Sequence, residues 1–582
     1  MERNKSLECR EMIVACVTHM VQSHADKIRS GWKNVFSLFT KAASENRQTI
    51  VEAAFRTTSF IMTEISPNHF NELMDSFQEI IQCLSEFACN VSFPDTSMDA
   101  IRLIQQAAKL VSENTRLINS QLSDDEHNYN EAPREAKVWL KGWFPIIFEL
   151  SCIISRSKLD VRTRSLTVMF EIVKTYGKEF NNDWWRDLFK VIFRIFDFIK
   201  LTDMGENEKN EWMTTTANHA LYAIVDVFNE YYTSLAPILL PNIYQQMFWC
   251  VQQGSEQLAR AAINCLENLI VANGLMFSEQ MWNSTVGLLI EIFECSMLDM
   301  DVVTEMSSSP STQQLSEVSN ESKKEVENSS PSKQSAYSNG ESQDSVLLSS
   351  ITRCIIQMEV VDAVSNILFG RNAFKVEGPK PKISAQENEN VINHMEDNQE
   401  LPCMYSQLSE EQLTSLAECL MKSHSMARLY NNNHTQRTIL WKAAFKGKAK
   451  PNLQKLDAHS MHCVLNILFH LYSLADTEHK ALEYGSQLQH KVEYALDYYT
   501  NSHSESLRTY WLTVIQMLLN RTSGLPAKRF AALGPEYRLS LAKLILCDEQ
   551  PIIRQALYKV MTRTITEEAV EPLEQDEING FQ

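Results

Sequence analysis

The chain has 582 residues, 44% of them apolar, with only 15 Gly and 16 Pro. Few stretches alternate with period two, so several helical domains or one long helical array are expected. The formal net charge of −19 opposes general nucleic-acid binding, which needs a basic surface. No apolar run reaches the roughly 18–20 residues that cross a bilayer, so membrane contact is expected to be peripheral.

In chain order, residues 10–22 are amphipathic and carry no targeting character. Helices are expected near 30–55 and 68–89. In SFPDTSMDAIRLI, Pro94 is expected to stop one helix, and Thr96 with Asp99 resembles a capping box for the next. Residues 120–135 read as an acidic polar loop. The stretch 136–177 then organises the chain as two amphipathic helices. In the first, Trp143, Ile146, Ile147, Leu150, Ile153 and Ile154 share one face by their spacing of three and four. Asp160 can cap the second, whose stripe is Met169, Ile172, Val173 and Tyr176, and Gly177 reads as its stop. Neither helix can bury its stripe alone, which is the logic of stacked helical repeats. Further helices are expected near 182–200, 210–232, 238–253, 255–272 and 278–299.

An internal echo supports repeats. LDVRTRSLTVMFEIV (159–173), EQLARAAINCLENLI (256–270) and EQPIIRQALYKVM (549–561) each place an arginine (Arg162, Arg260, Arg554) just after an apolar residue and before a helical stripe. HEAT-type helix pairs of about 40–47 residues have this layout. The expected fold is therefore all-α, a HEAT/armadillo-like solenoid with disordered linkers. Its expected divisions are an array over 1–300, a Ser/Glu-rich linker over 301–345, a helix over 346–370, a polar linker over 371–400, a helical block over 401–565 and an acidic tail over 566–582. The linker carries the candidate phosphorylation sites Ser309 and Ser330, each followed by Pro. Ser409 and Gln412 form a capping box for the second block.

Catalytic templates are missing: there is no GxxxxGK[ST], no GxGxxG after a strand, no HExxH and no CxxC pair. His459, His462 and Cys463 lie at i, i+3 and i+4 and could share a metal, but Cys463 sits among apolar residues and reads more simply as core. His219 reads as a histidine hydrogen-bonded between helices. Of the 13 Cys, Cys83, Cys152, Cys265 and Cys463 lie in apolar runs and read as reduced core thiols. No cofactor is implied. One local charge feature stands out, RTILWKAAFKGKAKPNL (437–453). Lys442, Lys446, Lys448 and Lys450 follow Trp441 and Phe445, so an otherwise acidic chain carries a basic patch suited to an anionic headgroup or an acidic partner. The alternative is a solvated basic loop with its aromatics turned inward.

SGWKNVFSLFTKAA (30–43), CLSEFACNVSFPDTSMDAIRLI (83–104), WFPIIFELSCIISRSKLDVRTRSLTVMFEIVKTYG (143–177), EWMTTTANHALYAI (211–224), WCVQQGSEQLAR (249–260) and QRTILWKAAFKGKAKPNL (436–453) resemble the large brefeldin A-inhibited Arf guanine-nucleotide exchange factors. The resemblance covers most of the chain apart from linkers and tail. It implies peripheral proteins of the trans-Golgi network and endosomes in which a Sec-seven domain exchanges nucleotide on Arf, and helical blocks downstream control recruitment and activity. This chain resembles those downstream blocks alone. The catalytic FRLPGE-type motif is not found in it, so no exchange residue is carried over, and the sequence reads as part of a longer protein. The expected role is a non-catalytic regulatory scaffold. Its implied partners are small GTPases of the Arf, Arf-like or Rab type, an anionic membrane surface, and the factor's own catalytic domain by intramolecular contact, with no nucleic acid. The alternative is a stand-alone α-solenoid adaptor or transport receptor for cargo.

Overall fold

A computed structural model describes residues 6–121, 138–201, 205–298, 337–371, 373–374, 403–435, 437–438, 453–502, 504–547 and 550–568. Among them every regular element is helical. The chain divides into two compact units, Met1–Gln246 and Met247–Gln582, and the division falls inside one helix, Tyr232–Gln252.

The first unit is a two-layer array. Its helices are α1 (Leu7–His24), α2 (Trp32–Ala43), α3 (Gln48–Phe60), α4 (Ser66–Leu73), α5 (Phe77–Ala88), α6 (Pro94–Glu113), α7 (Thr115–Gln121), α8 (Phe144–Arg156), α9 (Leu159–Tyr176), α10 (Asn182–Leu201), α11 (Glu206–Trp212) and α12 (Asn218–Glu230). The row α2, α5, α8, α10 forms one layer, and α3, α6, α9, α12 the other. The pairs α2/α3, α5/α6 and α8/α9 join the layers. Each helix therefore touches its partner and the pairs before and after it, the contact pattern of a HEAT-like repeat.

This placement explains the burial in the organising pair. Trp143, Ile146, Ile147, Leu150, Ile153 and Ile154 are all buried, as their spacing predicts. Helix α9 is buried more widely than one stripe, because α6 and α12 flank it on both sides: Leu166, Val168 and Phe170 join Met169, Ile172 and Val173 inside. Tyr176 is only half-buried. Fully burying each such side chain contributes about 1.5–3 kcal/mol.

Several local expectations are corrected. The residue that precedes α9 is Lys158, without a side-chain cap, and Asp160 is already inside the first turn. There it acts by its charge on the helix dipole instead. Gly177 has φ −57 and ends nothing by a left-handed turn. It is small for another reason, because a Cβ there would lie 2.9 Å from the rings of Trp185 and Tyr231. Pro94 opens α6 rather than stopping α5, which ends at Ala88. Proline suits that first position because its missing N–H has no intrahelical partner to lose. Thr96 is consequently inside α6 and makes no cap. The span 30–55 is broken into α2 and α3, with Ser44–Arg47 between them.

In the second unit the helices are α13 (Tyr232–Gln252, shared with the first), α14 (Glu256–Asn273), α15 (Glu279–Cys295), α16 (Tyr337–Phe369), α17 (Glu410–Asn432), α18 (Gln454–Leu474), α19 (Glu478–Thr500), α20 (Glu505–Ser523), the short α21 (Ala527–Ala532), α22 (Pro535–Ala542) and α23 (Leu544–Cys547), and α24 (Pro551–Glu568). The row α14, α16, α18, α20, α24 forms one layer, while α15 and α17 start the other. The capping box is present: Ser409 Oγ accepts from Gln412 N, and Gln412 Oε1 accepts from Ser409 N at 2.8 Å. Helix α16 begins at Tyr337, inside the stretch expected as linker. Once its apolar half is anchored, adding polar turns is far easier than nucleating them. The last helix likewise runs to Glu568, into the expected tail. Residues 120–135 fall almost entirely outside the described residues, as do Ser309 and Ser330.

Candidate functional site: the basic connection and its base

The basic segment connects α17 to α18. Lys442, Lys446, Lys448 and Lys450, with Trp441 and Phe445, lie outside the described residues. The two ends of the connection are described, and both are fixed to one residue. Asn431 Oδ1 accepts from Leu453 N at 2.8 Å, and Asn431 O accepts from Arg437 Nη1 at 3.2 Å. Leu453 is buried, and its carbonyl takes the N–H of Asp457 in the first turn of α18. The two described ends of the connection therefore meet at Asn431.

That base stands on a buried polar cluster. Asp457 is fully buried; its Oδ1 lies 2.7 Å from His424 Nδ1, and its Oδ2 accepts from Tyr498 Oη at 3.2 Å and Trp511 Nε1 at 3.4 Å. On its far side His424 Nε2 meets Tyr494 Oη at 2.8 Å. Arg428 donates to that same hydroxyl, and its guanidinium stands 4.8 Å over the Tyr498 ring. Two residues to either side on α18, His459 Nδ1 is 2.6 Å from Asp362 Oδ1, and Lys455 Nζ is 2.8 Å from Asp362 Oδ2. Phe374 stacks on His459 with centroids 4.3 Å apart. In this way one helix, α18, is tied by charged groups to α16, α17, α19 and α20.

The electrostatics follow from burial and these partners. Burial would raise the Asp362 carboxyl, but the hydrogen bond and charge of His459, with Lys455, outweigh it and hold it below its usual range. Burial lowers His459 against the opposing pull of Asp362. His462 is lowered to about 3 by burial, with His459 and Arg521 adding to the effect. Burial pushes the Cys463 thiol up to about 12.

His459, His462 and Cys463 do share a helix, but not a ligand site. His459 is committed to Asp362, and Cys463 is sealed in the core. Among the described residues no three His, Cys, Asp or Glu side chains converge to hold a metal. His219 is half-buried, and its side chain makes no hydrogen bond with the described residues, contrary to expectation; burial lowers its pKa. Cys83, Cys265 and Cys463 are core thiols, whereas Cys152 is half-buried. The cysteines whose side chains are described are free. Sequence reasoning missed Asp457, His424 and Asp362. Asp457 lies among the polar residues Gln454, Lys455, His459 and Ser460, so nothing local marked it, and its partners come from other helices.

No described helix is long and apolar enough to cross a membrane. Comparison with known families matches residues 355–562 to the BIG2 C-terminal domain and residues 1–60 to the Mon2/Sec7/BIG1-like HDS family. The first match spans the basic connection and its whole base. Brefeldin A-inhibited guanine nucleotide-exchange protein 1 of Rattus norvegicus is 41% identical over 592 aligned positions, covering 97% of this chain and 32% of the relative. Its Homo sapiens counterpart is 41% identical with the same coverage. The ADP-ribosylation factor guanine nucleotide-exchange factor SEC7 of Saccharomyces cerevisiae is 24% identical over 535 positions, covering 82% of this chain and 26% of the relative. The chain thus spans about a third of the length of these mammalian relatives. Two layers of helix pairs, two matched families and 41% identity across nearly the whole chain place it in the brefeldin A-inhibited guanine nucleotide-exchange protein family.

Proposed function

We propose that this chain is a non-catalytic regulatory and scaffold region of an Arf guanine-nucleotide exchange factor. It serves membrane recruitment and the control of Arf activation in trans-Golgi and endosomal vesicle traffic. The observation that carries this reading is the likeness to exchange proteins over 97% of the chain, with the matched families being the HDS and the C-terminal domain. The architecture supports it, because stacked helix pairs expose long surfaces that can hold a GTPase, a membrane or a catalytic domain. Its partners in this reading are Arf, Arf-like or Rab GTPases and an anionic cytoplasmic membrane face, reached as a peripheral protein. Lys442, Lys446, Lys448 and Lys450 are its membrane or partner contact.

The test is nucleotide release from purified Arf loaded with a fluorescent GDP analogue, with and without this chain. The expected rate is that of Arf alone, while GTP-loaded small GTPases are retained on immobilised chain. Acceleration matching that of a catalytic exchange domain overturns the non-catalytic reading. Retention of cargo peptides and of no GTPase overturns the regulatory one.

A further inference from the structure

Helix α8 is apolar on both of its broad sides. Its inward stripe, from Trp143 to Ile154, is buried against α5, α9 and α10. The opposite side carries a second stripe. Leu140, in the turn that opens the helix, is followed at every fourth position by Phe144, Phe148 and Cys152, a spacing that lines them up along one side. Leu140 is 57% exposed, and the other three are half-buried. Phe144 and Phe148 stack with centroids 5.7 Å apart. The neighbours in the same layer differ. Every residue of α5 that is not buried is polar: Gln78, Glu79, Gln82 and Glu86. The fully exposed residues of α10 are polar too, Arg186, Lys190 and Arg194 among them. A helix that is apolar all round is ordinarily covered all round, whereas the outer side of α8 stays open among the described residues.

We propose that this stripe is a docking site for an acidic amphipathic helix of a partner protein. Two features of the surface select that occupant. The first is shape. The guanidinium of Arg194, from α10, stands 5.8 Å over the Phe148 ring, and Phe144 meets Trp139, which stacks on Trp184 of α10. The two phenylalanines therefore line the furrow between α8 and α10. A flat bilayer meets residues that protrude, whereas the convex apolar face of a helix reaches into a furrow. The second is charge. Lys141, next to Leu140, and Arg194 make no ion pair with the described residues. Other charges nearby answer one another: Arg156 holds Glu86 by two hydrogen bonds, and Lys190 pairs with Asp187. Burial raises the carboxyl of Glu149, which lies on the α5 flank beside Ser85. Two cations thus stand unanswered at an apolar stripe, in a chain whose net charge is −19. Phe148, under Arg194, comes seven residues after Lys141, so the cations are about 10 Å apart along the axis. The helix that matches them carries acids seven positions apart with leucine or aromatic residues between, all on one side.

A display library of single-helix peptides, selected on the immobilised full chain, tests this, with the enriched peptides measured by fluorescence anisotropy. The enriched peptides are expected to carry Asp or Glu at i and i+7 and Leu, Phe or Trp between. Leu140→Ser, at an exposed position outside the core, is expected to weaken their binding by about tenfold or more, and Lys141→Glu with Arg194→Glu by about tenfold, both with unchanged circular dichroism. Exchanging the peptide acids for lysine is expected to restore binding to the doubly reversed chain and to weaken it on the parent. No enrichment, or enriched peptides indifferent to both variants, overturns the proposal. So does a dimer in sedimentation velocity that Leu140→Ser dissolves, which assigns the stripe to a second copy. Weaker flotation of Leu140→Ser on phosphatidylserine vesicles overturns it as well, by assigning the stripe to a bilayer.

Discussion

At the scale of single residues, the positions that matter most are those where size or charge is fixed by a neighbour far away in sequence. Gly177 has an ordinary right-handed backbone, so alanine would normally be tolerated or even favoured there. The rings of Trp185 and Tyr231, 2.9 Å from the site of a Cβ, reverse that. Gly177→Ala is expected to destabilise the chain by about 1–3 kcal/mol, as overpacked cores do, measured by urea titration of the far-UV circular dichroism. Asp457 is the corresponding case for charge. Its carboxylate answers His424, Tyr498 and Trp511 together, so Asp457→Ala leaves donors buried without an acceptor and is expected to cost about 3–5 kcal/mol. A variant that melts with the parent would show that water replaces the carboxylate. Neither residue announces its role. A glycine after an apolar stripe reads as a helix stop, and an aspartate two places from a histidine reads as surface, until the helices that supply Trp185 or His424 are in place.

At the scale of elements, periodicity was legible and ends were less so. The stripe Trp143–Ile154 predicts its own burial because the spacing of apolar side chains is a property of one helix. The capping box at Ser409 was legible for the same reason, since all its atoms lie within four residues. Asp160 and Thr96 failed because a helix start set by Pro94 or by the seating of α9 against its neighbours overrides a nearby polar side chain. The buried cluster on α18 was illegible because its carboxylates and imidazoles come from separate helices. That cluster gives the second unit a pH dependence. His459 and His462 have pKa values lowered in the fold, by burial first, so as pH falls through the usual histidine range the unfolded chain takes up protons first, and stability falls. Asp362 acts in the same direction at lower pH, since its contribution is lost as it protonates. With His462 lowered to about 3, that group alone costs about 1.4 kcal/mol between pH 7.5 and pH 5.5. Urea melts at the two pH values measure it. His462→Phe is expected to reduce the difference, and an equal difference in that variant would assign the effect to other groups.

At the scale of the whole molecule, charge decides where a membrane can be met. With a net charge of −19 the chain as a whole is repelled by an anionic bilayer, and the repulsion reaches about a Debye length, ~8 Å in physiological salt. Contact therefore needs a local excess of positive charge carried clear of the acidic surface. In the proposed reading the connection between α17 and α18 supplies that charge: its described ends bind Asn431, and Lys442, Lys446, Lys448 and Lys450 occur within nine residues that contain no acid. Each lysine near an anionic surface contributes about 1 kcal/mol. Reversing Lys446, Lys448 and Lys450 to Glu removes three attractions and adds three repulsions, so binding to vesicles containing phosphatidylserine is expected to fall by about 100-fold or more. Binding of the unaltered chain should weaken steeply between 0.05 and 0.5 M NaCl, and neither protein should bind neutral phosphatidylcholine vesicles. Flotation of the full chain with both vesicle types, alongside circular dichroism to show an intact helical array, makes the measurement. Equal flotation of parent and variant on anionic vesicles would return these lysines to an ordinary solvated loop and leave the recruitment of this region to its protein partners.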